Sequence, residues 1–403
     1  MNTAIIGGGA SGMFAACNIN SFHPDHTITV FEKKPQFLSK VKISGGGRCN
    51  LTHASASVAD LLKSYPRGAK SLKKVFHQFS HQQTMQWFES RGLKLVVQDD
   101  GCVFPASQNA MSVVNLLMQQ ATLNNVRLQP MSEIVALTPA DNRFELQLKD
   151  KEKPLLFDRV IVTTGGIPSL SGFEWLRATG HEIIPPAPSL FTFKLDGNTL
   201  TSLSGNVINP VRVSIAGTHF TADGPLLITH WGLSGPAILK LSAFGARHLY
   251  EKKYCFKIRI NWTGIRNEEE IRQQLSNIRQ QNSTRKVINS RLEGLPARLW
   301  EHLLVATGIS EDQKWEHIGS KSLNQLTNRI CNDEYTVNGK TTFREEFVTS
   351  GGISLQSVNM NTLESKVCPG LYFAGEVLDI DGLTGGFNLQ AAWSTGYVAS
   401  MLQ

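Results

Sequence analysis

Residues 3–19 read TAIIGGGASGMFAACNI, and the order of their residue types decides the fold. A short apolar run passes into G-x-G-x-x-G at Gly7, Gly9 and Gly12, and a helical pattern follows. A second apolar run, TITVFE at 27–32, ends on Glu32. That is the order of a dinucleotide-binding βαβ unit. The first glycine permits the tight turn, the second lets backbone approach a pyrophosphate, and the third lets helix and strand pack closely. The helix N-terminus, with Ala10 and Ser11, offers free N–H groups and a partial positive charge to phosphates. Glu32 stands 20 residues after Gly12, where a carboxylate accepts hydrogen bonds from both ribose hydroxyls. An acid there favours an unphosphorylated ribose, so NAD or FAD rather than NADP. Accidental glycines are the competing explanation, and the order strand, glycines, helix, strand, acid outweighs it.

Later stretches point to FAD. LFDRVIVTTGGIPS (156–169) is an apolar strand ending in small residues, with Thr164 and Gly165 placed to lie beside a cofactor. Upstream, MSEIVAL (131–137) offers a backbone contact to an adenine through Ile134 or Val135. Near the C-terminus, GLYFAGEVLDIDGLTGGFNLQAAWSTGYVA (370–399) carries a strand ending in Gly375-Glu376, then Gly385-Gly386 opening a helical pattern. This layout is similar to the second fingerprint of glutathione-reductase-like flavoproteins. The likeness implies that Glu376, where those proteins have Asp, binds the ribityl chain. The helix N-terminus beyond it would face the flavin N1–C2=O edge, where negative charge accumulates on reduction. An ordinary core strand and glycine turn would look the same in isolation.

A cofactor site drawn from both ends of the chain makes the middle an insertion. From about 190 to 262, short β-type runs alternate with turns (LFTFKLDG, NPVRVSIAG, PLLITHWG, YCFKIRIN). From about 263 to 335 the pattern turns helical: Ile271, Leu275 and Ile278 fall at i, i+4 and i+7, and Leu323, Leu326 and Ile330 at i, i+3 and i+7. The expected fold is therefore α/β: a Rossmann-like FAD-binding domain of glutathione-reductase type, residues 1–189 and 336–403. A β-barrel-like plus helical insert at 190–335 interrupts it.

KVKISGGGRCNLTH (40–53) concentrates backbone freedom, a fixed charge and a thiol after the Glu32 strand. A flexible surface turn is the plain explanation. With a flavin site in view, glycines without Cβ atoms bring backbone N–H groups against a pyrophosphate or the isoalloxazine edge. Together GGGASGMFAA, KISGGGRCNLTH, LLITHWGLSGPAIL and GLYFAGEVLDIDGLTGGFNLQAAWSTG resemble the BaiN/YhiN-type family of FAD-dependent, often labelled NAD(P)/FAD-dependent, oxidoreductases over nearly the whole chain. The resemblance implies FAD contacts from Gly7, Gly9, Ala10, Ser11 and Gly12, from Glu32, Lys33 and Lys40, and from Ser44, Gly45, Gly46, Arg48, Cys49 and Asn50. It implies further contacts from Thr164, Gly165 and the segment Gly375, Glu376, Gly385, Gly386, Phe387 and Asn388. Activities attributed within the family include oxidation of small amines, dehydrogenation of steroid-like substrates and reduction of a ribosomal RNA uridine.

No second G-x-G-x-x-G unit is present for a nicotinamide, so NAD(P)H would reduce the flavin as a transient visitor. His230, in LLITHWGLSGP, is the leading candidate for proton transfer, because imidazole titrates near neutrality; a strand-end histidine fixing a glycine turn is the alternative. Cys49 is the second candidate, against a buried inert thiol. Arg48 suits a phosphate or carboxylate, His53 reads as a loop residue, and Asp379 and Asp381 read equally as bases or as turn acids. The six cysteines have no metal-ligand spacing, and no metal is expected. They read as reduced thiols of a cytoplasmic protein, with no leader and no run of ~18 apolar residues to cross a membrane.

The net charge is +7, with 18 Lys/Arg against 13 Asp/Glu in 190–335, which favours anionic partners. The expected partner is a small-molecule substrate. Structured RNA is the alternative, served by KSYPRGAKSLKK (63–74), EKKYCFKIRI (251–260) and RQQNSTRKVINSR (279–291), though lysines guarding a strand edge look alike.

Overall fold

The computed structural model describes residues 1–341 and 348–403. The chain divides into two compact units: Met1–Ser189 with Arg344–Gln403, and Leu190–Phe343.

The first unit is built on a parallel five-stranded sheet in the order Leu371–Phe373, Arg159–Val162, Asn2–Ile6, Thr27–Phe31, Arg127–Gln129. The three central strands read as near-continuous apolar runs because helices and side chains cover both faces. Ala4, Ile5, Val30, Ile161 and Val162 are fully buried. Two helices, Ala10–Phe22 and Phe387–Ser400, meet where Gly396 lies against Ser11; a Cβ on Gly396 would stand 2.5 Å from the Ser11 carbonyl oxygen. An antiparallel meander, Ile134–Ala140, Arg143–Leu148 and Leu155–Phe157, precedes the strand Arg159–Val162, which Thr163 follows. The strands Ile183–Ser189 and Val348–Ile353 pair antiparallel, and each lies next to a boundary between the units.

The second unit holds seven strands in the order Asp333–Val337, Phe256–Asn261, Val207–Ile215, Thr221–Thr229, Gly232–Ser234, Thr192–Lys194, Gly339–Thr341. The two terminal strands are consecutive in the chain. The segment 333–341 pairs with Phe256–Asn261 through one half and with Thr192–Lys194 through the other, so the sheet closes into a barrel-like ring. This segment lies at and beyond the end of the region that reads as helical. Closure depends on partners far away in sequence, which local periodicity does not display. The helices Glu268–Gln281, Ala297–Ala306 and Ser320–Cys331 pack around buried Trp262, Trp300 and Trp315.

Candidate cofactor site

The carboxyl ends of the parallel strands deliver Gly7, Glu32, Thr163 and Gly375 to one edge of the sheet, where open α/β sheets bind ligands. Gly7 has φ +113°, and a Cβ there would lie 2.4 Å from the Thr163 carbonyl oxygen. A Cβ on Gly12 would lie 2.0 Å from the Gly7 carbonyl oxygen, whereas one on Gly9 meets nothing within 4 Å. Packing therefore forces the first and third glycines, and the second leaves its side open. The helix that follows has no side-chain cap and no acid in its first turn, so its N–H groups and dipole remain available to an anion. Glu32 is held at the end of its strand: Oε2 accepts from Gly8 N and Oε1 from Lys34 N, both at 2.9 Å.

The 44–50 turn interrupts the helical stretch Ser39–Gly47: Ser44 turns extended at ψ 148°, and Gly45, Gly46 and Gly47 follow at φ +57°, +66° and +81°. Three successive left-handed positions suit glycine because they are strained for any residue with a Cβ. The C-terminal loop lies against this turn, since a Cβ on Gly386 would stand 2.5 Å from Thr52 O and 2.8 Å from Asn50 Oδ1. Buried side chains lock the two together. Gln390 bonds to Thr52 Oγ1, and its Nε2 donates to Thr84 Oγ1 at 2.9 Å and Ser394 Oγ at 2.7 Å, while Trp393 Nε1 donates to Leu51 O at 2.9 Å. Within the described residues, the backbone N–H groups of Thr384, Gly385, Gly386 and Phe387 have no hydrogen-bond partner.

The candidate residues separate by what they already hold. Arg48 is exposed, stacks its guanidinium 4.3 Å from the Phe104 ring centroid and donates weakly to Gly45 O and Gln108 Oε1. Cys49 adopts φ +62° and is fully buried; burial pushes its thiol up to about 12. Burial and the raised pKa suit a buried wall of the turn, the alternative to a reagent. Ser44 Oγ donates to Val41 O, so its side chain stabilises the turn itself. Glu376 accepts from Lys40 Nζ at 2.9 Å and from Thr349 N at 3.0 Å, which ties both residues to the C-terminal segment.

Asn388 is a staple: its Oδ1 accepts from Gly382 N and its Nδ2 donates to Gly382 O, both at 2.8 Å. The Phe387 ring stacks on His53 at 4.7 Å, so only its backbone N–H is free for a ligand. His53 is not the loop residue expected: it ends the short strand Thr52–His53, opposite Cys102, and its ring bonds to Ser55 Oγ and Asp100 O. Lys33 and Val135 are exposed, and Ile134 is buried. Asp379 accepts from Gly351 N, and Asp381 is paired with Arg67, so each carboxylate has a structural partner. His230 lies in the second unit, at the exposed turn joining Thr221–Thr229 to Gly232–Ser234.

Sequence reasoning missed Arg67, Tyr65 and Thr349, which hold the cofactor-loop residues from a distance. No local pattern marks them, because their partners are about 300 residues away for the first two and 27 for Thr349.

The residues fit FAD. Ser11 Oγ, Asn50 Oδ1 and Thr164 Oγ1, one from each of three segments, are buried polar atoms with no partner among the described residues. Gly9, Gly46 and Gly47 present sides on which a Cβ would meet nothing, Glu32 stands where it would suit a ribose, and the 384–387 N–H groups are open to an acceptor. An ADP half and an isoalloxazine half both have donors.

A parallel dinucleotide-binding sheet with a second glycine loop at its C-terminal helix defines the class of flavin-dependent oxidoreductases. The chain belongs to the family described as the HI0933-like protein Rossmann domain, whose model matches residues 1–402. It is 29% identical over 404 residues to a 3-dehydro-bile acid delta(4,6)-reductase of Clostridium scindens, covering 98% of this chain and 97% of that protein. It is also 29% identical over 410 residues to a ribosomal RNA dihydrouridine synthase of Haemophilus influenzae, with 98% and 97% coverage. Among solved structures, a 3-ketosteroid delta1-dehydrogenase from Sterolibacterium denitrificans shares the fold at TM-score 0.50 and 12% identity, over 99% of this chain and 98% of that one. Among the described residues, no helix is long and apolar enough to cross a membrane, and all six cysteines are free.

Proposed function

We propose that this protein is an FAD-dependent reductase of a carbon–carbon double bond conjugated to a carbonyl, with NAD(P)H as the electron source. The observation that carries the reading is the single site built from both ends of the chain, with Gly9 and Glu32 at one end and the open N–H groups of 384–387 at the other. Bound FAD supplies a hydride acceptor and donor at N5. The chain's own residues would hold it: the N-terminus of the Ala10–Phe22 helix would take the pyrophosphate, Glu32 the ribose, and the 384–387 N–H groups would lie where reduction builds negative charge.

Chemistry supports the substrate class. The bile-acid reductase named above acts, by its name, on double bonds conjugated to a 3-oxo group, and a dihydrouridine synthase acts on a uracil double bond conjugated to a ring carbonyl. Each reaction adds a hydride to the electron-poor carbon and a proton to its neighbour, two electrons in all. Such a substrate needs a proton donor, and His230 is the residue type suited to it.

A small unsaturated metabolite is the first reading of the substrate. One feature favours a base in structured RNA as the second: Lys70, Lys73 and Lys74 lie exposed on the helix Ala69–Gln78 and form no ion pair among the described residues, which suits a polyanion. By contrast, Lys257 and Arg259 of the 251–260 stretch are both committed to Glu334. Anaerobic reduction with NADH or NADPH, followed by re-oxidation with conjugated enones or ribosomal RNA, tests the proposal. Flavin re-oxidised by one of these acceptors supports it and identifies the substrate. Flavin that only oxygen re-oxidises refutes it.

A further inference from the structure

The buried ion pair between Arg67 and Asp381 has no part in the chemistry above, yet it sits at the start of the cofactor loop. The Arg67 side chain is 11% exposed and that of Asp381 is fully buried. Arg67 engages both carboxylate oxygens, through Nε and through a terminal nitrogen, and Ser189 Oγ donates to Asp381 Oδ2 at 2.8 Å. A two-point guanidinium–carboxylate fork fixes orientation as well as distance, which a lysine does not.

The neighbours of Arg67 hold the same loop. Leu383 N donates to Ser64 O at 2.9 Å, and Tyr65 OH donates to Phe387 O at 2.7 Å. A Cβ on Gly382 would stand 3.2 Å from the Tyr65 ring, and one on Gly68 would stand 2.4 Å from Ile380. The segment 64–68 is thus a template for 380–387. Between those anchors lie Thr384, Gly385 and Gly386, whose N–H groups have no partner among the described residues. Two further carboxylates of the same stretch are tied to the strand Val348–Ile353, Glu376 to Thr349 N and Asp379 to Gly351 N. A loop with this many external anchors is held for its shape.

We propose that Arg67 is a positioning residue: through Asp381 it holds the 382–387 backbone so that its open N–H groups meet the N1–C2=O edge of the flavin, and so sets the cofactor's reduction potential. This rests on the FAD reading above. Donors aimed in advance at a developing charge stabilise it because they need no reorganisation when it appears. A loosened loop therefore loses hold on the reduced cofactor, which carries that charge, more than on the oxidised one.

The test measures the midpoint potential of bound FAD, its dissociation constant and the melting temperature of the apoprotein. Arg67→Met alone strands a buried carboxylate and is compared with Arg67→Met/Asp381→Leu, which removes both charges and is expected to fold. Tyr65→Phe provides a neutral second probe of the same loop. The expected result for the double variant is retained FAD with about tenfold weaker preference for the reduced form, a fall of about 30 mV for a two-electron couple. Tyr65→Phe is expected to move the potential in the same direction by less, and Arg67→Lys to recover only part of it. Wild-type potential in both the double variant and Tyr65→Phe overturns the role of Arg67 while leaving the FAD reading intact. Wild-type protein that takes up no FAD overturns both.

Discussion

The two glycine turns of this chain look alike in sequence and are held to glycine by different forces. In the first, at 7–12, Cβ atoms on Gly7 and Gly12 would fall 2.4 and 2.0 Å from backbone oxygen atoms. In the second, at 45–47, a Cβ on Gly45 would fall 2.7 Å from Asn50 N, but Cβ atoms on Gly46 and Gly47 would meet nothing within 4 Å, and at those two glycine is favoured by left-handed φ alone. The protein's own packing demands the first turn. In the second, Gly46 and Gly47 leave a side open, and on the function proposed above that side meets the cofactor.

Substitutions should separate these two kinds of glycine. The largest effect is expected at Gly12→Val, where the side chain collides with the Gly7 backbone: the first unit should lose about 4 kcal/mol or more and its cooperative melt. A wild-type melt would erase the contrast. Gly46→Val comes next. Its backbone strain should cost about 1–3 kcal/mol, leaving a folded protein that has lost FAD. An unchanged flavin content in a folded Gly46→Val protein would show that the second turn faces no cofactor.

Acid offers a third probe of the unit that carries both turns. His181 is buried between Thr179 Oγ1 and Ser365 Oγ, each 2.7 Å from a ring nitrogen, and burial lowers its pKa from 6.5 to about 4. The unfolded chain takes up the proton below pH 6.5 while the folded chain resists it until about 4. Stability is therefore full above pH 6.5 and falls as pH drops toward 4, and His181→Gln should flatten that slope in denaturant titrations at pH 7 and 5. A slope equal to wild type would remove His181 as its cause. The smallest change is expected at Cys49→Ala, about 1 kcal/mol of stability with FAD content retained. Loss of FAD there, at wild-type stability, would restore the thiol as a cofactor contact.

Much of the first turn was legible in the sequence, because G-x-G-x-x-G, the flanking apolar strands and Glu32 lie within 32 residues and each has a local cause. The second turn was legible as composition and not as geometry. Its glycines suggested backbone donors, but the burial of Cys49 and the stacking of Arg48 on Phe104 depend on residues that fold over them from elsewhere. The C-terminal loop shows the same division. Gly385-Gly386 stood out, whereas Asn388 as a staple, Lys40 as the partner of Glu376 and Arg67 as the partner of Asp381 required the tertiary fold. In the second unit, the helical periods of 267–281 and 322–330 were visible as buried Ile271, Leu275, Leu323, Leu326 and Ile330. The closing segment 333–341 was not, because its pattern is short and its partners lie 70 or more residues away.

On the function proposed above, the two ends of the chain build one FAD site in which both turns take part. Titration of the apoprotein with FAD, FMN and NADP tests it most directly, read by quenching of flavin fluorescence and by calorimetry. Saturable, stoichiometric binding of FAD is expected, with much weaker binding of FMN, which lacks the half that Gly9 and Glu32 would hold, and no competition from NADP for that half. FMN binding as tight as FAD, or FAD displaced by NADP, would contradict it.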